Sequence, residues 1–80
     1  MMNERIQVLA RSRNGKVEPI QFLFKNQLFT INTVLDYQEE AFHGNMQYYL
    51  TVNLIPSGCC KLHFDLRSGQ WTFLEGNLPS

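Results

Sequence analysis

Cys59, Lys61, His63 and Asp65 recur at every second position of one short segment. If that segment is extended, all four side chains share a face, with alternate positions ~6.5–7 Å apart. A thiol, an amine, an imidazole and a carboxylate so placed raise two chemistries. The first is metal ligation from positions i and i+2 of a strand. A structural zinc site, however, takes four sulfur or imidazole ligands, usually in closely spaced pairs. Only Cys59, Cys60, His43 and His63 are of those types, and alternation turns Cys60 away from Cys59. The second is thiolate attack with histidine as base. Cys59 and His63 stand two pleats apart, ~13 Å along the backbone, too far for direct proton transfer. No paired-carboxylate, phosphate-loop or nucleophile-elbow pattern occurs. The expectation is therefore no catalytic residue, no metal and no cofactor, with these four side chains forming a solvated strand face.

The chemistry that remains is that of binding. Seven Lys and Arg balance seven Asp and Glu over 80 residues. The balance is uneven along the chain. Residues 1–25 carry Arg5, Arg11, Arg13, Lys16 and Lys25 against Glu4 and Glu18, a net +3, and residues 26–80 carry a net −3. A basic first hairpin can face nucleic acid or an acidic partner. Small barrels that hold single strands stack bases on surface aromatics along a basic groove. Tyr37, Phe42 and Tyr49 are the aromatics available for that role, and Tyr49 is the best placed because alternation sets it opposite Tyr48. The candidate binding set is Arg5, Arg11, Arg13, Lys16, Tyr49 and Lys61. Its partner is a protein, a second copy of the chain, or nucleic acid.

Period-two alternation supplies the elements that must position this set. In 60–66, Cys60, Leu62, Phe64 and Leu66 share one face and Lys61, His63 and Asp65 the other. In 48–55, Tyr48, Leu50, Val52 and Leu54 oppose Tyr49, Thr51, Asn53 and Ile55. In 28–37, Phe29, Ile31, Thr33, Leu35 and Tyr37 oppose Leu28, Thr30, Asn32, Val34 and Asp36. Segments 5–11 and 19–25 alternate likewise, led by Ile6 and Val8 and by Ile20, Phe22 and Phe24, and a short last strand holds Trp71 and Phe73. Turns fall between them at Asn14-Gly15, Asn26-Gln27, Pro56-Ser57-Gly58 and Arg67-Ser68-Gly69-Gln70. Residues 39–45 lack alternation and read as a helical turn or long loop. Leu9, Leu23, Leu28, Val34, Tyr49 and Ile55 lie off the main apolar face, which marks either a bent sheet with a second small core or an interaction surface.

No helix is available to cover one greasy sheet face. The fold is therefore expected to be all-β: a small antiparallel meander of five or six strands curled into a barrel or half-barrel, or a sheet closed by a second copy. Phe22, Phe24, Phe29, Tyr48, Phe64, Trp71 and Phe73 would fill it. The chain reads as one domain over 1–80, with a core at about 4–75 and flexible ends at 1–3 and 76–80. The hydrophobic share, 44%, is too high for a disordered chain. The longest apolar run is three residues, so no membrane helix is expected, and a start without a signal-like apolar region makes the cytoplasm the expected location. Adjacent Cys59 and Cys60 point apart in a strand, so no disulfide is expected either.

Within this framework the chain resembles a known family. The carrying residues are Pro19-x-x-Phe22-x-Phe24, Phe29-x-Ile31-x-x-Val34-Leu35, Tyr48-Tyr49-x-x-Val52 and Leu62-x-x-Asp65-x-x-Ser68-Gly69-x-Trp71-x-x-Leu74. They resemble a small bacterial β-domain family of unknown function, which is similar to the C-terminal domain of some catalytically inactive Y-family polymerase homologues. The likeness runs from about Arg5 to Leu74. It departs at Phe24, where the family often has Trp, at Phe29, where it often has Tyr, and at Leu50-Thr51, where it has a basic residue. The resemblance implies a DNA- or RNA-associated accessory role in DNA repair and brings no catalytic residues with it.

Overall fold

The computed structural model describes residues 3–78. Six strands make up the fold: β1 (Glu4–Arg13), β2 (Lys16–Phe24), β3 (Gln27–Phe42), β4 (Asn45–Ile55), β5 (Cys59–Asp65) and β6 (Gln70–Asn77). They pair in chain order, each antiparallel to the next, and β1 returns to pair with β6, so the sheet closes into a barrel. Closure removes the free edges where β1 meets β6, over Glu4–Ile6 and Trp71–Phe73.

Two-residue turns make the meander tight. Asn14-Gly15, Lys25-Asn26 and His43-Gly44 all have positive φ at both positions (54° and 76°, 52° and 62°, 51° and 77°). That is the conformation whose twist matches antiparallel strands. The second turn sits one residue before the expected Asn26-Gln27. The third overturns the helical turn or loop expected over 39–45. There, β3 simply continues to Phe42 and pairs back along β4, from Glu39 opposite Tyr48 to Phe42 opposite Asn45. This end of the hairpin carries no alternation because Gln38 to Gly44 are all exposed. At the last turn, Asp65 Oδ1 accepts hydrogen bonds from Asn45 Nδ2 (2.9 Å) and from the Arg67 and Ser68 amides (3.0 and 3.3 Å). These bonds hold the Asp65 carboxyl below its usual range, the Asn45 amide foremost.

The barrel interior is filled by Ile6, Phe22, Phe24, Phe29, Leu50, Val52, Leu54, Cys60, Leu62, Trp71 and Phe73, all buried. Rings stack across strands: Phe24 on Phe73 (4.2 Å), Phe64 against Trp71 (4.7 Å) and Phe22 on Phe29 (5.3 Å). Such pairs add about 0.5–1.5 kcal/mol beyond the area they bury. Tyr48 and Phe64 are half-buried against this cluster. Gly76 lies against Cys60 so closely that a Cβ there would overlap the Cys60 Cβ.

Four β-bulges interrupt the ladders among the described residues. One leaves Leu74 extra in β6, between Phe73 opposite Leu62 and Glu75 opposite Lys61, and three lie in β2 and β3. Those three shift the alternation. Two lie in β3, between Ile31 and Thr33 and between Val34 and Asp36, so Asn32 and Leu35 are the extra residues. The inward set becomes Phe29, Ile31, Val34 and Tyr37, and Leu35, expected inside, is exposed. The third leaves Ile20 extra between Gln21 and Pro19, opposite Leu9 and Ala10. Leu66, expected to follow Phe64 inward, instead lies in the turn after β5 and is exposed. At the C-terminal end the paired strand runs past the expected core limit of 75. Gly76 and Asn77 pair with Cys60 and Cys59, and Leu78 packs on the core. Residues 1, 2, 79 and 80 lie outside the described residues. No helix among the described residues is long and apolar enough to cross a membrane.

Candidate functional site

The β2–β3 ladder is short. It runs from Phe24 opposite Gln27 to Gln21 opposite Thr30 and stops there. Beyond that point Lys16–Ile20 continues to pair with β1, and Ile31–Phe42 continues to pair with β4. The two stretches face each other without a shared ladder. The local cause is in the sequence. Pro19 has no N–H to offer a neighbour, Ile20 bulges, and β3 bulges at Asn32 and Leu35. This break is a seam in the closed barrel.

The seam has an apolar floor and a basic rim. Pro19 is buried, and Val17, Ile31, Val34 and Tyr37 pack on the core beneath it. Two hollows of about 450 and 470 Å³ open above this floor and share Arg13, Glu18 and Val34 as walls. Arg11 Nε bonds Glu18 Oε1 at 2.6 Å along the wall. Lys16 Nζ sits 5.0 Å from the centre of the Tyr37 ring, a cation–π distance. Tyr37 Oη is buried without a hydrogen-bond partner. Burial raises the Tyr37 pKa, with Tyr48 and Glu39 adding to the rise; the Val17 backbone opposes it without closing a well-formed hydrogen bond.

The expected binding set divides in two. Arg11, Arg13 and Lys16 come together at the seam. Arg5, Tyr49 and Lys61 lie elsewhere, on the outer face of the sheet. Arg5 stands opposite Thr72, Thr72 opposite His63, and His63 opposite Tyr49, so one row of side chains crosses four strands. The Tyr49 and His63 rings are 5.1 Å apart, and His63 Nε2–H donates to Gln47 Oε1. Burial lowers the His63 pKa and the nearby Asp65 charge partly restores it. Lys61 pairs between Thr51 and Glu75, and Asp36 stands opposite Thr51. This face is thus mixed in charge, which does not suit a polyanion.

The strand face with Cys59, Lys61, His63 and Asp65 exists as expected, with Cys59 exposed at one end of β5 and Asp65 at the other. Among the described residues no group of three or more His, Cys, Asp or Glu converges. The off-face apolar set also divides. Val34 joins the core, Tyr49 is half-buried, and Leu9, Leu23, Leu28 and Ile55 are exposed. Leu23 stands directly opposite Leu28, and Leu9 lines a shallow hollow with both.

Sequence reasoning missed the seam itself. Its signal was Pro19, which opens the expected strand 19–25 but stands in the middle of β2 (Lys16–Phe24); proline marks a sheet position with no ladder neighbour on one side. Comparison with known proteins returns no matching family model, curated protein or solved structure.

Proposed function

We propose that this domain is an interaction module without catalytic activity, that it receives a polypeptide partner at the seam between β2 and β3, and that it works in the cytoplasm. The observation that carries the reading is the failure of the β2–β3 ladder beyond Gln21 and Thr30, above an apolar floor. Unpaired strand backbone in a closed barrel is a liability unless something satisfies it. An apolar centre with a polar rim is also the ordinary anatomy of a protein interface. The two free thiols, Cys59 and Cys60, suit a reducing compartment.

The test is a selection of random displayed peptides on the native domain and on Asn32→Trp, whose larger side chain fills the hollow. Peptides enriched on the native domain and lost on Asn32→Trp support the reading. No enrichment, or equal binding to both, overturns it.

A second reading, a nucleic-acid accessory domain in a repair setting, draws on Arg11, Arg13 and Lys16 at one hairpin end and on the family resemblance. Arg11 is already paired with Glu18, and Tyr37 lies under Lys16 rather than free to stack. Titration with oligodeoxythymidine at low salt decides it. Salt-sensitive binding that Arg13→Glu/Lys16→Glu abolishes favours this reading, and absence of binding removes it.

A further inference from the structure

The seam's chemistry says more about its occupant than that it is a polypeptide. We infer that an acidic, extended segment of a partner protein adds as a strand to the β3 edge at Ile31–Tyr37, with carboxylates facing Arg13 and Lys16. This rests on the seam being the binding site.

The backbone comes first. Among the described residues, β3 is paired with β4 past Thr30 but with no strand on its other side. That side offers a row of amide and carbonyl groups of the kind that accept an added strand. β2 is the poorer edge, because Pro19 lacks a donor and Ile20 bulges. An incoming strand therefore registers on β3, and β2 becomes its wall.

Room for it comes from the β1–β2 ribbon. Among the described residues, β1 after Ile6 pairs with β2 alone, and β2 before Gln21 pairs with β1 alone. The ribbon is tied to the barrel only at its base, by Glu4–Ile6 to β6 and by Gln21–Phe24 to β3. A two-stranded ribbon is marginal by itself. It can swing outward on this base to admit a strand, which needs ~4.8 Å of spacing to each neighbour. What opposes the swing is the Lys16–Tyr37 contact and the packing of Val8, Ala10 and Val17 on the core, with Pro19 buried beside them. An added strand with branched side chains would re-cover the surface this exposes.

Charge chooses the class of segment. Of the cations on the rim, Arg11 is taken by Glu18, whereas Arg13 and Lys16 make no ion pair among the described residues. A segment with alternating carboxylates and small branched side chains meets both requirements. Its charges face the rim and its branched side chains face Ile31, Val34 and Tyr37.

The experiment maps backbone amide shifts of the ¹⁵N-labelled domain. Four probes are added: a blocked seven-residue peptide alternating Val and Glu, its Val/Lys counterpart, the Val/Glu peptide N-methylated at alternate residues, and oligodeoxythymidine. The inference expects the Val/Glu peptide to shift amides of Lys16–Ile20 and Ile31–Tyr37 and to slow hydrogen exchange along β3. It also expects at least a tenfold loss of affinity on N-methylation, on exchange of Glu for Lys, and in Arg13→Glu/Lys16→Glu. If the N-methylated peptide binds as well as its parent, strand addition is wrong while the seam remains a site. If the oligonucleotide alone shifts the seam, an acidic peptide is the wrong occupant. If no probe moves seam amides and peptide display also fails, the seam reading itself falls.

Discussion

Lys16 and Tyr37 meet across a gap beyond the end of their strands' ladder: the ammonium lies 5.0 Å from the ring centre, while the ladder among the described residues ends at Gln21 and Thr30. Side chains thus do at the mouth of the seam what the backbone does elsewhere in the barrel. Contacts of this kind are worth about 0.5–1 kcal/mol at exposed sites, less than a run of ladder pairs, so this is where the barrel opens most cheaply.

The Tyr37 hydroxyl is buried there without a partner. An unpaired buried polar group is a cost that its removal relieves. Tyr37→Phe should leave the free domain as stable as before or raise its stability by up to about 1 kcal/mol. Urea unfolding measures this, and a loss above about 1 kcal/mol would show a hydrogen bond at Oη in solution.

The bulges at Asn32 and Leu35 make an outcome that plain alternation would reverse. Val34 packs on the core and Leu35 is 58% exposed. Val34→Ser should cost about 1–3 kcal/mol, and Leu35→Ser should fall within about 0.5 kcal/mol of the parent. Equal costs, or the opposite order, would mean that β3 runs without its bulges.

His63 sets a pH dependence whose sign follows from its environment. Burial holds its folded pKa below the ordinary value of 6.5. As pH falls through that value, the unfolded chain takes up the proton first, so stability present above it declines below it. His63→Gln should flatten the slope between about pH 7 and pH 5. Asp65 acts in a different window. Its folded pKa lies below 3.8, so its contribution persists to more acid conditions and is lost as pH falls through the folded pKa. Asp65→Asn should therefore weaken the acid limb and, by removing the charge that partly restores the His63 pKa, make the His63 slope steeper. Thermal unfolding across this pH series separates the two.

The thiols should react one at a time. Cys59 is exposed, whereas Cys60 is buried and its pKa is pushed up to about 12, first by burial and then by its neighbour Cys59. The thiolate is the reactive form. At pH 8 a disulfide reagent should label one thiol per native chain, and two only after denaturant is added. Prompt labelling of both would place Cys60 at the surface.

Much of the barrel was legible because the inward residues of β4, β5 and β6 keep strict alternation: Tyr48, Leu50, Val52 and Leu54, then Cys60, Leu62 and Phe64, then Trp71 and Phe73. Asn14-Gly15 declared its turn through two residues that tolerate positive φ. Lys25-Asn26 and His43-Gly44 were harder. Lysine and histidine adopt that conformation only when the strands on either side demand it. The outer end of the β3–β4 hairpin buries nothing, so its residues carry no pattern to read. The bulges hid the seam. Each inserts one residue into a strand and inverts the faces after it, and only pairing partners reveal where that happens. Hence Arg11, Arg13 and Lys16 were visible as a basic hairpin, but their neighbour Val34 was assigned to the wrong face, because β3 changes phase at Asn32 and returns to it only after Leu35, where Tyr37 keeps the face expected of it.

The joint between β1 and β6 has one more implication. Glu4 pairs with Phe73, and β6 runs on to Asn77 past that point, so the first and last strands begin and end at the same pole. The Asn14-Gly15 tip and the mouth beside it occupy the other pole. A fluorescent protein or an immobilisation tag fused at either terminus would leave the barrel from its far end, and both can be carried at once without shadowing the opening.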